Sequence, residues 1–209
     1  VPRMVVFPFH SDIQAAAISK DNTTMFIVDR FNNVVRVIDL SAREQTSTIT
    51  VGRPPIVNSA NSAPPDGTVV AGIRPTSIMV SPVKNDYRAF VTGQSSDEEA
   101  VRILNPDSSF PEKHSVANTL AVIDTKTFEV VETYAVGVEP LGMAVTPDGK
   151  KVYVANAGTG AETVEFIPSN TVSIVNTDTK EVKTIEVGTS PTFMVMTPDG
   201  RKAYGLPGS

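Results

Sequence analysis

Cysteine and tryptophan are both absent from the 209 residues, and histidine occurs only twice, as His10 and His114. Without cysteine there can be no disulfide, no covalent c-type haem, no thiolate zinc site and no cysteine nucleophile. Two histidines leave little of the usual acid–base repertoire at neutral pH. His10 stands beside Ser11 and Asp12, but consecutive residues cannot take up the spatial roles of a catalytic triad, so this trio reads as structural. No apolar run approaches the ~18 residues needed to cross a bilayer, so no membrane span is expected. Lys and Arg number 18 against 23 Asp and Glu, for a net charge of -5. The basic residues are scattered, and nucleic acid is not an expected partner. The G-x-S-x-G, Walker A, Rossmann and H-E-x-x-H motifs are missing. Gly158-Thr159-Gly160 lacks the strand-to-helix context and following Lys of a phosphate loop and reads as a flexible loop. The start, Val1-Pro2-Arg3, has no charged-then-apolar leader, so a removed targeting segment or a trimmed start is expected.

What the sequence does contain is a repeat. The segment Met143-Ala144-Val145-Thr146-Pro147-Asp148-Gly149-Lys150-Lys151-Val152-Tyr153 returns as Met194-Val195-Met196-Thr197-Pro198-Asp199-Gly200-Arg201-Lys202-Ala203-Tyr204, 51 residues later. Weaker copies start at Ala17-Ile18-Ser19 and Met79-Val80-Ser81-Pro82, at longer intervals that contain insertions. A second element recurs in the same order as Val34-Val35-Arg36-Val37-Ile38-Asp39, Thr119-Leu120-Ala121-Val122-Ile123-Asp124 and Thr171-Val172-Ser173-Ile174-Val175-Asn176. Each is followed by a turn and another expected strand ending on Val-Gly, at Val51-Gly52, Val136-Gly137 and Val187-Gly188.

Short β-branched runs separated by turn residues at this period predict an all-β fold, a β-propeller of four-stranded antiparallel blades. In the third copy the strands are expected at 140–146, 151–155, 171–176 and 181–187. Pro-Asp-Gly-Lys closes the first hairpin, with proline setting φ, Asp bonding the backbone ahead and Gly free to take φ > 0. The second and third strands carry Val, Ile and Tyr on both faces, as expected of a sheet covered on both sides. Tyr87, Tyr153 and Tyr204 recur at the second strand and are expected to pack in the core. Recurrent Pro and β-branched runs argue against a helical repeat, and the absence of Trp argues against the WD40 type.

Thr146-Pro147-Asp148-Gly149-Lys150-Lys151-Val152-Tyr153-Val154-Ala155-Asn156 resembles the signature of the YVTN, surface-layer type of propeller repeat, with Ala155 where that family has Thr. The resemblance implies a seven-bladed propeller that is extracytoplasmic, whether periplasmic, secreted or at the cell surface. It also implies kinship with the propeller subunits of periplasmic redox complexes.

Seven blades would need roughly 315 residues. About three and a half blades are counted in this chain: blade 1 at about 10–52, blade 2 at about 73–137, blade 3 at about 138–188 and a partial blade at 189–209. The chain is expected to be either part of a seven-bladed propeller, completed by remaining propeller blades or a protein partner, or a closed four-bladed ring in which Met4 to Phe9 completes the last blade. Three long insertions, 53–72, 93–118 and 157–170, all fall on the face opposite the tight turns, where per-repeat insertions commonly mark the binding face.

Within 93–118 the residues Asp97, Glu98, Glu99 and His114 form a solvated acidic loop on the simplest reading. As ligands they would suit Ca2+, which prefers oxygen donors, although their spacing matches no EF-hand or zinc pattern. Apolar residues in these surface loops, Ile103, Leu104, Phe110, Phe166 and Ile167, together with His114, are the candidate contacts for a protein partner. The sequence nominates no catalytic and no cofactor-binding residue. The expected function is a noncatalytic scaffold or binding module for protein–protein interaction. The alternatives are a redox-complex subunit and a lactonase-like hydrolase.

Overall fold

The structure is a computed structural model, and it describes residues 11–51, 74–94, 118–158, 168–188 and 190–207. Among these residues the chain is all-β: fourteen strands form four antiparallel sheets and there is no helix. Sheet 1 holds β1 (Ile13–Ile18), β2 (Thr24–Asp29), β3 (Val34–Asp39) and β4 (Glu44–Thr50). Sheet 2 holds β5 (Arg74–Val80), β6 (Arg88–Gln94), β7 (Thr119–Asp124) and β8 (Glu129–Ala135). Sheet 3 holds β9 (Pro140–Val145), β10 (Lys151–Gly158), β11 (Pro168–Asn176) and β12 (Val182–Glu186). Sheet 4 holds β13 (Pro191–Met196) and β14 (Ala203–Pro207). Within every sheet the strands lie in chain order, each hydrogen-bonded to the next.

The turns follow from short polar side chains that bond their own backbone. In the β9–β10 turn the Thr146 hydroxyl donates to Asp148 Oδ1 at 2.5 Å and accepts from Lys151 N at 3.0 Å, while Asp148 Oδ1 takes Lys150 N at 3.1 Å. Thr197, Asp199, Arg201 and Lys202 repeat those bonds in the β13–β14 turn. Gly149 and Gly200 hold φ of 71° and 70° there. The β1–β2 turn reaches the same geometry with Ser19, Asp21 and, in the glycine position, Asn22 at φ 58°. The turns between third and fourth strands use a different device. Asp39, Asp124 and Asn176 each accept two backbone N–H groups from the residues ahead. The turn then closes through a left-handed Arg43, Phe128 or Lys180, at φ 57°, 59° and 65°.

Packing explains the near-continuous apolar runs of the second and third strands. Ala89, Val91, Ala121 and Ile123 of sheet 2 point into a core shared with Phe26, Val28, Val35, Val37 and Ile49 of sheet 1. The alternate residues Phe90, Leu120 and Val122 point the other way, against Met143, Val145, Val152 and Val154 of sheet 3. Sheet 2 is thus buried on both faces, which removes the usual apolar–polar alternation. A smaller core joins Ala144, Ala155 and Val172 to Met194 of sheet 4. Truncating a side chain such as Phe90, which is 0% exposed, would cost about 3–5 kcal/mol. The fourth strands β4 and β12 are largely exposed, β8 is partly so, and together they carry Glu, Gln, Thr and Lys, which discourages edge-to-edge pairing.

First strands are the innermost contacts between sheets: β1 packs on β5, β5 on β9 and β9 on β13. Gly142 sits where β9 and β13 come nearest, since a Cβ there would stand 2.5 Å from the Thr192 carbonyl oxygen. Among the described residues β1 and β13 form no comparable contact, and Ile18 of β1 and Phe193 of β13 are 48% and 67% exposed. The described sheets therefore form an open series and not the closed four-bladed ring expected as an alternative. The segment from Met4 to Phe9 lies outside the described residues.

Two sequence expectations need correction. Strands β10 and β11 run further than expected, to Gly158 and from Pro168, because their ladder continues past a register shift at Asn156 to pair Gly158 with Pro168. Tyr87 and Tyr204 are not core residues, being 42% and 52% exposed. Tyr87 precedes β6 and lies under the Lys126 ammonium, 3.6 Å from its ring centroid. Tyr204 lies on the face of sheet 4 turned away from sheet 3, whereas Tyr153 is half-buried between sheets 3 and 4.

Candidate functional site

Antiparallel order places the first-to-second and third-to-fourth turns of each sheet at one end and the second-to-third connection at the other. Side chains reaching between sheets show that like ends lie side by side. At the tight-turn end Lys20 Nζ donates to the Pro82 carbonyl. Arg88 holds Asp86 through two bonds of 2.7 Å and reaches sheet 3 at Thr177 Oγ1, 2.8 Å, and Gly149 O, 3.0 Å. Burial would raise the pKa of Asp86, but the bonds from Arg88 and Ser81 outweigh it and hold it below the ordinary value. The polar groups of this end are largely engaged with one another.

At the opposite end Arg30, directly after β2, donates through Nη2 to Gln94 Oε1 at 3.0 Å. Gln94 ends β6 and is 7% exposed. Glu139, just before β9, is pushed above the ordinary carboxylate range by burial and pulled partly back by Arg30. One arginine after β2 thus bonds an amide of sheet 2 and acts electrostatically on a carboxylate before β9. Glu139 holds φ at 53°, and its carbonyl accepts from Ala157 N at 3.0 Å. The start of β9 is thereby tied to the end of β10. Thr76 Oγ1 donates to Pro140 O at 2.7 Å and Thr92 Oγ1 to Leu141 O at 3.2 Å, joining sheet 2 to sheet 3 at the same level.

Two buried polar groups underpin this end. Asp29, 0% exposed, accepts from Arg36 Nε at 2.9 Å and Nη2 at 2.6 Å, from Asn32 Nδ2 at 2.9 Å and from Asp12 N at 3.2 Å. Burial raises its pKa, but these donors together outweigh burial and leave it below the ordinary value. Asn156, also 0% exposed, donates to Thr171 Oγ1 at 3.0 Å and Ser173 Oγ at 3.1 Å. A Cβ on Gly137 would lie 2.3 Å from Asn156 Nδ2, so the glycine after β8 lets sheet 2 end against the buried amide of sheet 3.

The connections 52–73, 95–117 and 159–167 all leave from this second end. They lie outside the described residues, and so do the partner-contact candidates Ile103, Leu104, Phe110, His114, Phe166 and Ile167 and the metal candidates Asp97, Glu98, Glu99 and His114. Among the described residues no three His, Cys, Asp or Glu side chains gather to hold a metal ion. What the described part brings together is the Arg30, Gln94 and Glu139 group, which the sequence reading missed. Its only signal was that Arg30 and Gln94 both close a second strand.

The choice-of-anchor I domain matches residues 69–190, more than half of the 209 residues. The chain belongs to the choice-of-anchor I domain family. This overturns the YVTN resemblance, which rested on 146–156. In that segment Thr146, Asp148 and Gly149 build a hairpin turn, and Asn156 fills a buried site between sheets. A resemblance carried by turn and packing requirements does not mark a family. A choice-of-anchor domain points to a β-rich protein of the cell surface or extracellular space, in agreement with the extracytoplasmic expectation, and to a noncatalytic surface or binding module. No curated protein matches the chain. Among the described residues no helix is long and apolar enough to cross a membrane.

Proposed function

We propose that this choice-of-anchor I chain is a noncatalytic scaffold whose four sheets are successive blades of a propeller-like array. The blades run at about 10–52, 73–137 and 138–188, with 189–209 opening a fourth. The face bearing the long connections binds a protein partner at the cell surface. One observation carries this reading: three long connections leave from the end that carries Arg30, Gln94 and Glu139, while the other end has short turns whose polar groups bond each other. Connections of this length are usually functional when they crowd one face of a repeat array. The contact residues we assign to them are Ile103, Leu104, Phe110, His114, Phe166 and Ile167.

The test replaces 95–117, and separately 159–167, by an Asn-Gly turn and measures thermal unfolding together with binding of the labelled chain to the envelope of the producing cells. Loss of binding with an unchanged melting transition is expected. Full binding by both variants would overturn the proposal.

A further inference from the structure

Asn22, Thr23 and Thr24 form the pattern Asn-x-Thr, and no other asparagine in the sequence has Ser or Thr two residues on. This spacing is the acceptor pattern for an N-linked glycan on a chain that reaches the cell surface. A three-residue pattern carries weight only where the fold presents it, and the β1–β2 turn does so. The turn is closed by its other polar side chains. Ser19 Oγ donates to Asp21 Oδ1 at 2.6 Å, Thr23 N and Thr23 Oγ1 donate to the same oxygen at 3.1 and 2.8 Å, and Ser19 Oγ accepts from Thr24 N at 2.9 Å. Asn22 contributes only its backbone, donating N–H to the Ser19 carbonyl at 2.9 Å. Its side chain is exposed and makes no hydrogen bond to any described residue.

Turn geometry accounts for half of the pattern. Asn22 holds φ at 58°, where Gly149 and Gly200 hold 71° and 70° in the equivalent turns, and Asn is among the few side chains that tolerate this conformation. It does not account for Thr24. The equivalent residues are Lys151, which opens β10, and Lys202, just before β14, so the turn closes without a hydroxyl there. Thr24 Oγ1 contacts only its neighbour's hydroxyl, Thr23 Oγ1, at 3.3 Å. The turn lies at the tight-turn end beside sheet 2, where Lys20 Nζ donates to the Pro82 carbonyl.

We propose that Asn22 carries an N-linked glycan. The donor is an oligosaccharide on a polyprenyl pyrophosphate. The Asn22 carboxamide nitrogen bonds the anomeric carbon, the bond from that carbon to the pyrophosphate oxygen breaks, the pyrophosphate leaves with the electron pair, and the amide proton passes to a base of the transferase. Transfer precedes closure of the β1–β2 hairpin, because Thr24 in the folded chain is paired with Asp39 of β3 and bonded through its backbone to Ser19. The fold then carries the sugar without losing a bond, since the Asn22 amide makes none. A glycan here shields the tight-turn end of sheets 1 and 2 and leaves the opposite end open. The inference rests on the surface location given by the family, and not on the choice of binding face.

The test recovers the chain from the envelope of the cells that produce it and measures the mass of the proteolytic peptide containing Asn22. That peptide is expected to be heavier than its amino-acid sequence by whole sugar residues. The excess should be lost completely in Thr24→Val and in Asn22→Asp and kept in Thr24→Ser, which restores the hydroxyl. Asn22→Asp retains a residue that tolerates the left-handed turn, and an unchanged melting transition shows that either variant folds. An Asn22 peptide of unmodified mass from the envelope-located chain would overturn the proposal, and so would an excess that survives both Thr24→Val and Asn22→Asp. Shortening 95–117 or 159–167 should leave the mass excess in place, and Thr24→Val should leave envelope binding in place, so the failure of one proposal is read apart from the failure of the other.

Discussion

Gly142→Ala adds one methyl group where β9 lies against the backbone of β13. The new Cβ would stand 2.5 Å from Thr192 O, 2.8 Å from Phe193 Cα and 3.2 Å from Met194 N. All three are backbone atoms of β13, so no rotamer change relieves the collision and β9 and β13 must move apart. Overpacking of this kind costs about 1–3 kcal/mol, and a contact with backbone on every side belongs at the upper end. Against it stands the smaller conformational freedom of the unfolded alanine chain, about 0.4–1 kcal/mol, leaving a net loss of about 2 kcal/mol. Urea unfolding should show this as a midpoint about 1 M lower, for a slope of about 2 kcal/mol/M. Gly188→Ala is the control, because a Cβ at Gly188 meets nothing within 4 Å. It should keep only the entropic gain of about 0.4–1 kcal/mol. If Gly142→Ala is as stable as Gly188→Ala, the first strands do not approach as described and the sheet-on-sheet order is refuted.

Arg36→Met leaves the fully buried Asp29 without its two strongest donors and should destabilise the chain by about 3–5 kcal/mol in calorimetry. Asp29 also sets an acid limit. Its folded pKa lies below 3.8, so its stabilisation is present above that value and disappears as pH falls through the folded value; Asp29→Asn should flatten that limb in pH-dependent urea melts. Glu139 acts with the opposite sign, since a folded pKa above 4.5 means a penalty when ionised that is relieved as pH falls toward 4.5. Glu139→Gln should remove that dependence. Arg43→Gly relieves a left-handed residue at φ 57° on an exposed turn and should raise the unfolding midpoint, by at most about 1 kcal/mol.

The strand order was legible because each β-branched run is bounded by turn residues whose own side chains close the turn, as at Thr146-Pro147-Asp148-Gly149. Which face of a strand meets which neighbour was not, since Phe90 and Val91 are both 0–1% exposed and point into different cores. The tyrosines show the same limit from the other side. Tyr153 and Tyr204 hold one position in the repeat, yet one has a neighbouring sheet over it and the other is exposed. The left-handed residues Arg43, Phe128 and Lys180 have no compositional marker, because backbone N–H groups donating to Asp or Asn at the turn's start fix the conformation. Arg30 and Gln94 are 64 residues apart. Only the stacking of sheets brings them together, and the family itself became visible through the match over 69–190 and not through the repeat.

The absence of cysteine makes one measurement decisive for the binding face. Single cysteines at Phe31 and Val138, exposed at the end bearing the long connections, and at Arg43 and Lys84, exposed at the tight-turn end, can each be alkylated in the free chain and in the chain bound to the cell envelope. Binding through the proposed face slows alkylation at Phe31→Cys and Val138→Cys and leaves Arg43→Cys and Lys84→Cys unchanged. Protection of the tight-turn positions with the other two unaffected would contradict it.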